Sequence, residues 1–195
     1  VRDQVISKIP EAAVSQVQST KGFGDAANKV EALVEGAAFY LFLRDDTVAS
    51  PDAVTLLVDE ALESNAGILG PKVLDWNDPT RIVSMGCLVD AFGVETPFVE
   101  LGELDQQQHD RVREAFAVTG EAVLVRCDLF RTIGGFDAQI ASGEEYLDLC
   151  WRAQLAGGRV LVVPSATVLS QRAMVEAPAH NLRRFKMRHR QHVIA

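Results

Sequence analysis

Short greasy runs, each cut off by turn residues and separated by stretches of helical periodicity, constrain this chain more than anything else in it. Ala37–Leu43 (AAFYLFL) is continuously apolar and rich in aromatics, the pattern of a strand covered on both faces. The runs AGILGPKVL (Ala66–Leu74), IVSMGCLVD (Ile82–Asp90), GEAVLVR (Gly120–Arg126) and RVLVVPSATVL (Arg159–Leu169) also read as strands. AVSQVQ (Ala13–Gln18) alternates, as a strand with one wet face would. Strands interleaved with helices at this spacing predict an α/β sheet flanked by helices, largely parallel in its first half.

The helical stretches have their own punctuation. Val1–Ile9 reads as the end of a helix stopped at Pro10. KGFGDAANKVEALVEG (Lys21–Gly36) reads as a glycine loop and then a helix with Ala27, Val30, Leu33 and Val34 on its inner stripe, closed by Gly36. The next helix spans Pro51–Ser64, with Ser50 as cap, Pro51 in the first turn, and Leu56, Leu57 and Ala61 inward. LDQQQHDRVREAF (Leu104–Phe116) predicts a polar helix or a lid-like excursion. CDLFRTIGG (Cys127–Gly135) and GEEYLDLCWRAQLAGG (Gly143–Gly158) predict two further helices stopped by glycines, and a basic helix ends the chain.

Composition narrows the function classes. At 195 residues the chain has room for one domain with a real core. A net charge of −8 argues against a nucleic-acid binder. The three cysteines, Cys87, Cys127 and Cys150, lack CxxC spacing and read as reduced thiols of a cytosolic protein rather than a disulfide frame or zinc site. No apolar run approaches the roughly 18 residues of a membrane span, and no signal peptide is visible. Leu182–His192 (LRRFKMRHRQH) carries five Arg or Lys and two His without an acid. Such a segment is a solvated helix face, or a surface for phosphates or an anionic membrane.

Asp45 and Asp46 stand where the AAFYLFL run stops. They read either as a turn, because Asp is a turn residue, or as a hard-cation site at a strand's carboxyl end. Ligands in open α/β sheets collect at such ends.

Four stretches in order, GFGDAAN, FYLFLRDDTVASPDAV, VTGEAVLVRCDLFRTIGGFD and GEEYLDLCWRAQLAGGRVLVVPSATV, together resemble the family 2 glycosyltransferases, the GT-A nucleotide-sugar enzymes. The resemblance runs from Gly22 to Leu169 and is closest to bacterial members that transfer rhamnosyl or galactofuranosyl groups in cell-envelope synthesis. It implies a GT-A, Rossmann-like mixed sheet over residues 1–175, followed by a separate basic helix over 176–195. It also implies a nucleotide-diphosphate sugar as donor, a glycan or lipid-linked acceptor, inversion at the anomeric carbon, and Mg2+ or Mn2+ as cofactor.

Roles follow residue by residue from that resemblance. Asp45 and Asp46 match the acidic metal signature; Gly22, Gly24 and Asn28 match the loop and helix start near the nucleotide. For the glycines, a plain helix-entry turn is the competing reading. Gly120 and Glu121 match the acceptor pocket, with Asp148 and Trp151 beside it, and Glu121 stands where a small residue is usual. The family's E-D-x-D-L pattern places Tyr146 at the catalytic base if aligned without a gap. One inserted residue places Glu144 on the Glu and Glu145 on the base, the alignment preferred here. Competing readings make Glu144 and Glu145 helix-capping acids and Asp148–Arg152 a helix-surface ion pair.

Two departures from the family stand out. Ser170 falls where a metal-binding histidine ends the last strand, and His109, His180, His189 and His192 all lie off the pattern. The opening strands that grip the nucleoside are missing, since the chain begins at Val1 in what reads as the following helix; it fits a piece of something longer and is expected to bind nucleotide-sugar poorly. An unpaired sheet edge would then invite homo-oligomers. A GT-A-like binding or assembly module with an eroded site, and a metal-dependent nucleotidyltransferase, are the alternatives to a transferase. The parent protein is expected at the cytoplasmic face of the plasma membrane, touched through residues 182–192.

Overall fold

Alternation of side chains across the strands explains why these tracts must be greasy throughout. A computed structural model describes residues 22–90, 95–140 and 144–171, together with Ser7. Apart from Ser7, the helix expected over Val1–Ile9 lies outside the described residues, as do the strand over Ala13–Gln18, the basic segment 182–192 and His180, His189 and His192. In chain order the elements are α1 (Phe23–Glu31), β1 (Phe39–Leu43), β2 (Thr47–Ala49), α2 (Ala53–Ser64), β3 (Ile68–Asp75), β4 (Arg81–Ser84) and β5 (Cys87–Val89). They continue with β6 (Glu95–Pro97), β7 (Glu103–Leu104), β8 (Arg113–Glu114), β9 (Ala122–Arg126), α3 (Cys127–Thr132), α4 (Glu145–Leu155) and β10 (Val160–Ser170).

The main sheet runs β1-β9-β3-β10-β2, with β4 and β8 paired onto β3 and β10 and β7 onto β4. Ile68, Val123, Val125, Val160 and Val162 face one way, into a core shared with Phe130 of α3 and Leu149, Cys150 and Trp151 of α4. Leu69, Leu124, Leu161 and Val163 face the other way, against Ala53, Leu57 and Ala61 of α2. Both faces are covered, so a polar residue on either would lose water without gaining a partner. Leu57, 1% exposed, contributes about 1.5–3 kcal/mol by burial alone.

The mixed sheet that the resemblance implies is present, and several other expectations are corrected here. The sheet is not largely parallel in its first half: among the main-sheet pairs only β3–β10 is parallel, and β9 runs antiparallel between β1 and β3. IVSMGCLVD is two strands, broken at Gly86 with φ +80°. Leu104–Phe116 holds no helix. Lys72, 3% exposed, bonds both Asp105 and Asp110 at 2.8 Å, and Arg113–Glu114 joins β10, so tertiary partners outbid the segment's helical propensity. Ser50 does not cap α2; its hydroxyl is buried without a hydrogen-bond partner, and the helix begins at Ala53. Leu56 is only partly buried. On α1 only Ala27 of the expected stripe is buried; Val30, Leu33 and Val34 are exposed, and the helix ends at Glu31.

What positions a site is strand direction. β1 and β3 both run antiparallel to β9, and β10 runs parallel to β3. The carboxyl ends of β1, β3 and β10 therefore lie on one edge, together with the start of β9. Leu43 pairs with Ala122, and Ser170 pairs with both Thr47 and Asp75.

Candidate active site

Arg44, Asp45 and Asp46 form the turn between β1 and β2, at that edge. Main-chain bonds pin it from two sides: Arg44 N donates to the Glu121 carbonyl at 3.1 Å, and Gln171 N to the Asp46 carbonyl at 2.9 Å. The turn thus touches the start of β9 and the end of β10. The two side chains differ in their surroundings. Asp45 is exposed. Asp46 accepts a fork from Arg44, Nε to Oδ1 at 2.9 Å and Nη2 to Oδ2 at 2.8 Å. That guanidinium holds the Asp46 carboxyl below its ordinary range, while Arg44 itself is pushed up by Asp46 first and also by the charges of Glu121 and Asp45.

The second arm of the site is the start of α4. Glu144 and Glu145 are buried, at 6% and 5% exposure, and Glu144 at the N-cap position makes no side-chain capping bond. Tyr146 follows, also buried. A Cβ on Gly120 would lie 2.5 Å from the Tyr146 ring, so only glycine lets β9's approach pass so close to α4. Burial pushes the Tyr146 phenol up, with the charges of Glu145 and Glu121 adding to it and Arg44 opposing. Arg44, Glu121, Glu145 and Tyr146 therefore share one electrostatic neighbourhood. Glu121 itself is 3% exposed.

Other expected site residues make contacts that fasten elements together. Asn28 spends its amide on Phe136, Nδ2 donating to the carbonyl at 2.7 Å and Oδ1 accepting from the N–H at 2.9 Å, which ties α1 to the GGFD turn. Gly24 packs against that turn: a Cβ there would meet Phe136 at 2.8 Å. Gly22 is the N-cap of α1, at φ +97°. Both glycines lie at the entry of α1. Trp151 is buried edge-to-face against Phe116, centroids 4.9 Å apart. Asp148 is 0% exposed and bonds Arg152 at 2.7 Å. The pair is internal, not on the helix surface, and Arg152 Nη1 also donates to the Ile133 carbonyl at 2.8 Å. Arg152 helps line a concavity of about 220 Å3 with Gly134, Gly135 and Asp137.

As they stand, these residues do not fit a closed cation site. Among the described residues no group of three or more His, Cys, Asp or Glu is placed to hold a metal. Ser170, at the position of the expected histidine, is fully buried beside the turn. Both oxygens of Asp46 are taken by Arg44, the residue that the sequence reading passed over. Its adjacency to the acid pair was the available signal.

The sequence matches the family model for the glycosyl transferase family group 2 over residues 41–193. No curated protein matches it. Solved structures do. GalNAc-T7 with UDP, GalNAc and Mn2+ aligns at TM-score 0.67 and 14% identity, over 87% of this chain and 33% of that one. The mannosyltransferase PcManGT from Pyrobaculum calidifontis, in complex with GDP-Man and Mn2+, aligns at 0.57 and 16%, over 99% and 48%. S. aureus TarS 1–349 aligns at 0.56 and 17%, over 86% and 46%. The mixed sheet with its flanking helices is the fold of these GT-A enzymes, and the chain spans between a third and a half of their lengths.

Proposed function

The chain belongs to the glycosyl transferase family group 2, and on that premise we propose that it serves sugar transfer from a nucleotide-diphosphate donor to a hydroxyl of a glycan or lipid-linked acceptor. One observation carries this reading: the Asp45–Asp46 turn, Glu121 and the acidic start of α4 gather at a single sheet edge, where α/β sheets bind ligands. The turn is the donor-diphosphate end, and Glu145, with Glu144 beside it, is the acceptor end.

In the proposed step the Glu145 carboxylate takes the acceptor hydroxyl's proton as that oxygen bonds to the anomeric carbon. The bond from that carbon to the diphosphate oxygen breaks, and its electron pair leaves with the nucleoside diphosphate, giving inversion. Tyr146 is a poor base because burial holds its proton on the phenol. Rhamnosyl or galactofuranosyl donors, a bacterial envelope acceptor and contact of residues 182–192 with the membrane's cytoplasmic face belong to this proposal through the motif resemblance alone. Among the described residues no helix is long and apolar enough to cross a membrane.

The Arg44–Asp46 clamp and the buried Ser170 favour a second reading, a GT-A-like binding or assembly module. Glu145→Gln in the full-length protein decides between them. The enzyme reading expects transfer to fall by about 10²–10⁴-fold with donor KM little changed. Transfer at the wild-type rate would hand the site to the module.

A further inference from the structure

An exposed tryptophan stands at the sheet edge that carries the acid turn. Trp76 directly follows β3 and is 37% exposed, whereas Asp75 before it is 6% exposed. The ladder places it. Trp76 N donates to the Ser170 carbonyl at 3.0 Å, and Gln171 N donates to the Asp46 carbonyl at 2.9 Å. Ser170 pairs with Asp75 on one side and Thr47 on the other, so Trp76, Gln171 and Asp46 form the next row across the edge. Two strand spacings, about 10 Å, separate the first from the last.

The face follows from alternation. Asp75, Ser170 and Thr47 are all buried, and the row after them turns the other way. Leu74, two residues before Trp76, packs on the core that Leu149, Cys150 and Trp151 of α4 close. Trp76 is therefore on the α4 side of the sheet, where Glu145 begins that helix. In strand order β3 lies between β9, led in by Gly120 and Glu121, and β10, whose end meets Asp46. The indole thus stands between the acceptor and diphosphate ends of the proposed site. The turn that carries it is stiff: Asp75 Oδ1 accepts from the N–H groups of both Asn77 and Asp78 at 2.8 Å, and Asp78 in turn bonds Thr80 and Arg81. An aromatic face on a fixed backbone loses little freedom when a ligand lies on it. We propose that Trp76 is a stacking platform for a sugar ring, whose C–H groups meet the electron-rich indole face while its hydroxyls stay at the rim. A nucleobase stacks on aromatics too, but it sits at the far end of a nucleotide from the reacting sugar, and Trp76 stands between the diphosphate turn and Glu145.

The proposal rests on the sugar-transfer reading. Its probes are the methyl glycosides of rhamnose, mannose, galactose and glucose, added to the full-length protein and read by saturation-transfer NMR at their ring protons. At least one is expected to bind. Trp76→Leu, which keeps apolar bulk without a flat face, is expected to weaken that binding up to about tenfold, and Trp76→Phe to keep most of it, with circular dichroism confirming that both fold. The bound glycoside is also expected to change the wild-type indole fluorescence, and Trp76→Phe to remove that change. No glycoside binding to wild type, binding unchanged in Trp76→Leu, or a fluorescence change that survives Trp76→Phe overturns the platform. Displacement of the glycoside by UDP or GDP alone overturns it too, since the indole would then serve the nucleobase. Displacement only by UDP-galactose or GDP-mannose makes the stacked ring the donor's, and persistence against both makes it the acceptor's; either supports the platform. Transfer that survives Glu145→Gln sinks the transferase reading and leaves a sugar platform standing, whereas a lost platform with Glu145-dependent transfer does the reverse.

Discussion

The chain holds two arginine–aspartate pairs whose chemistry is the same and whose surroundings are opposite. Asp148–Arg152 joins two residues one turn apart in α4, at 0% and 11% side-chain exposure, and braces the helix against Ile133. Arg44–Asp46 joins two residues of a turn at the sheet edge, and both side chains reach water. An internal pair cannot be opened cheaply, since either partner left alone is an unpaired charge in a dry place. A pair at the edge trades protein for solvent or ligand at little cost. The first is scaffolding, and the second is suited to work that requires letting go.

Asp148→Ala should break this comparison hardest if it is wrong. Removing the carboxylate strands the Arg152 guanidinium, with an expected loss of about 3–5 kcal/mol; a urea midpoint that barely moves would mean that the internal pair is not structural. Gly120→Ala comes next. The added methyl meets the Tyr146 ring, and the strain is expected to cost about 1–3 kcal/mol and to displace the start of α4, which thermal unfolding and tyrosine fluorescence would report. Arg44→Ala should change stability by less than about 1 kcal/mol; a larger loss in the same urea series would move the edge pair into the scaffold class.

The smallest effect is in the titration of Asp46. Arg44 depresses its folded-state pKa, so the pair's contribution to stability is present above the unfolded carboxylate value and is lost as pH falls through the folded one. The window opens at about pH 4 and extends downward. Arg44→Ala should raise the Asp46 pKa toward the ordinary value and flatten stability across that window. Carbon-detected NMR titration of the side-chain carboxyl would measure the shift, and an unmoved pKa would deny that Arg44 is its cause.

Much of this architecture was legible in the order of residues. Val160–Val163 and Val123–Val125 are apolar at every position because each strand serves two cores, and no other arrangement buries both faces. Asp45 and Asp46 were readable as an edge turn from the break in the greasy run. For Leu104–Phe116 the sequence left a helix and an excursion open. Its Gln, Arg and Glu residues favour a helix locally, and the buried Lys72 amine, more than thirty residues away, together with the pairing of Arg113–Glu114 on β10, draws the segment out of one.

Sequence alone therefore determined where the longer strands of the sheet lie, that helices flank it, and which family the motifs resemble; the short strands β2, β6, β7 and β8 it did not show. These properties depend on periodicity, which a chain carries along its length. Tertiary structure decided which contacts Asn28, Gly24, Asp148 and Trp151 make, and that Glu121, Glu145 and the acid turn share one edge. It also decided that Arg44 holds Asp46. Partnership depends on distance in space, and burial sets the cost of a charge; neither is written in the spacing of residues along the chain.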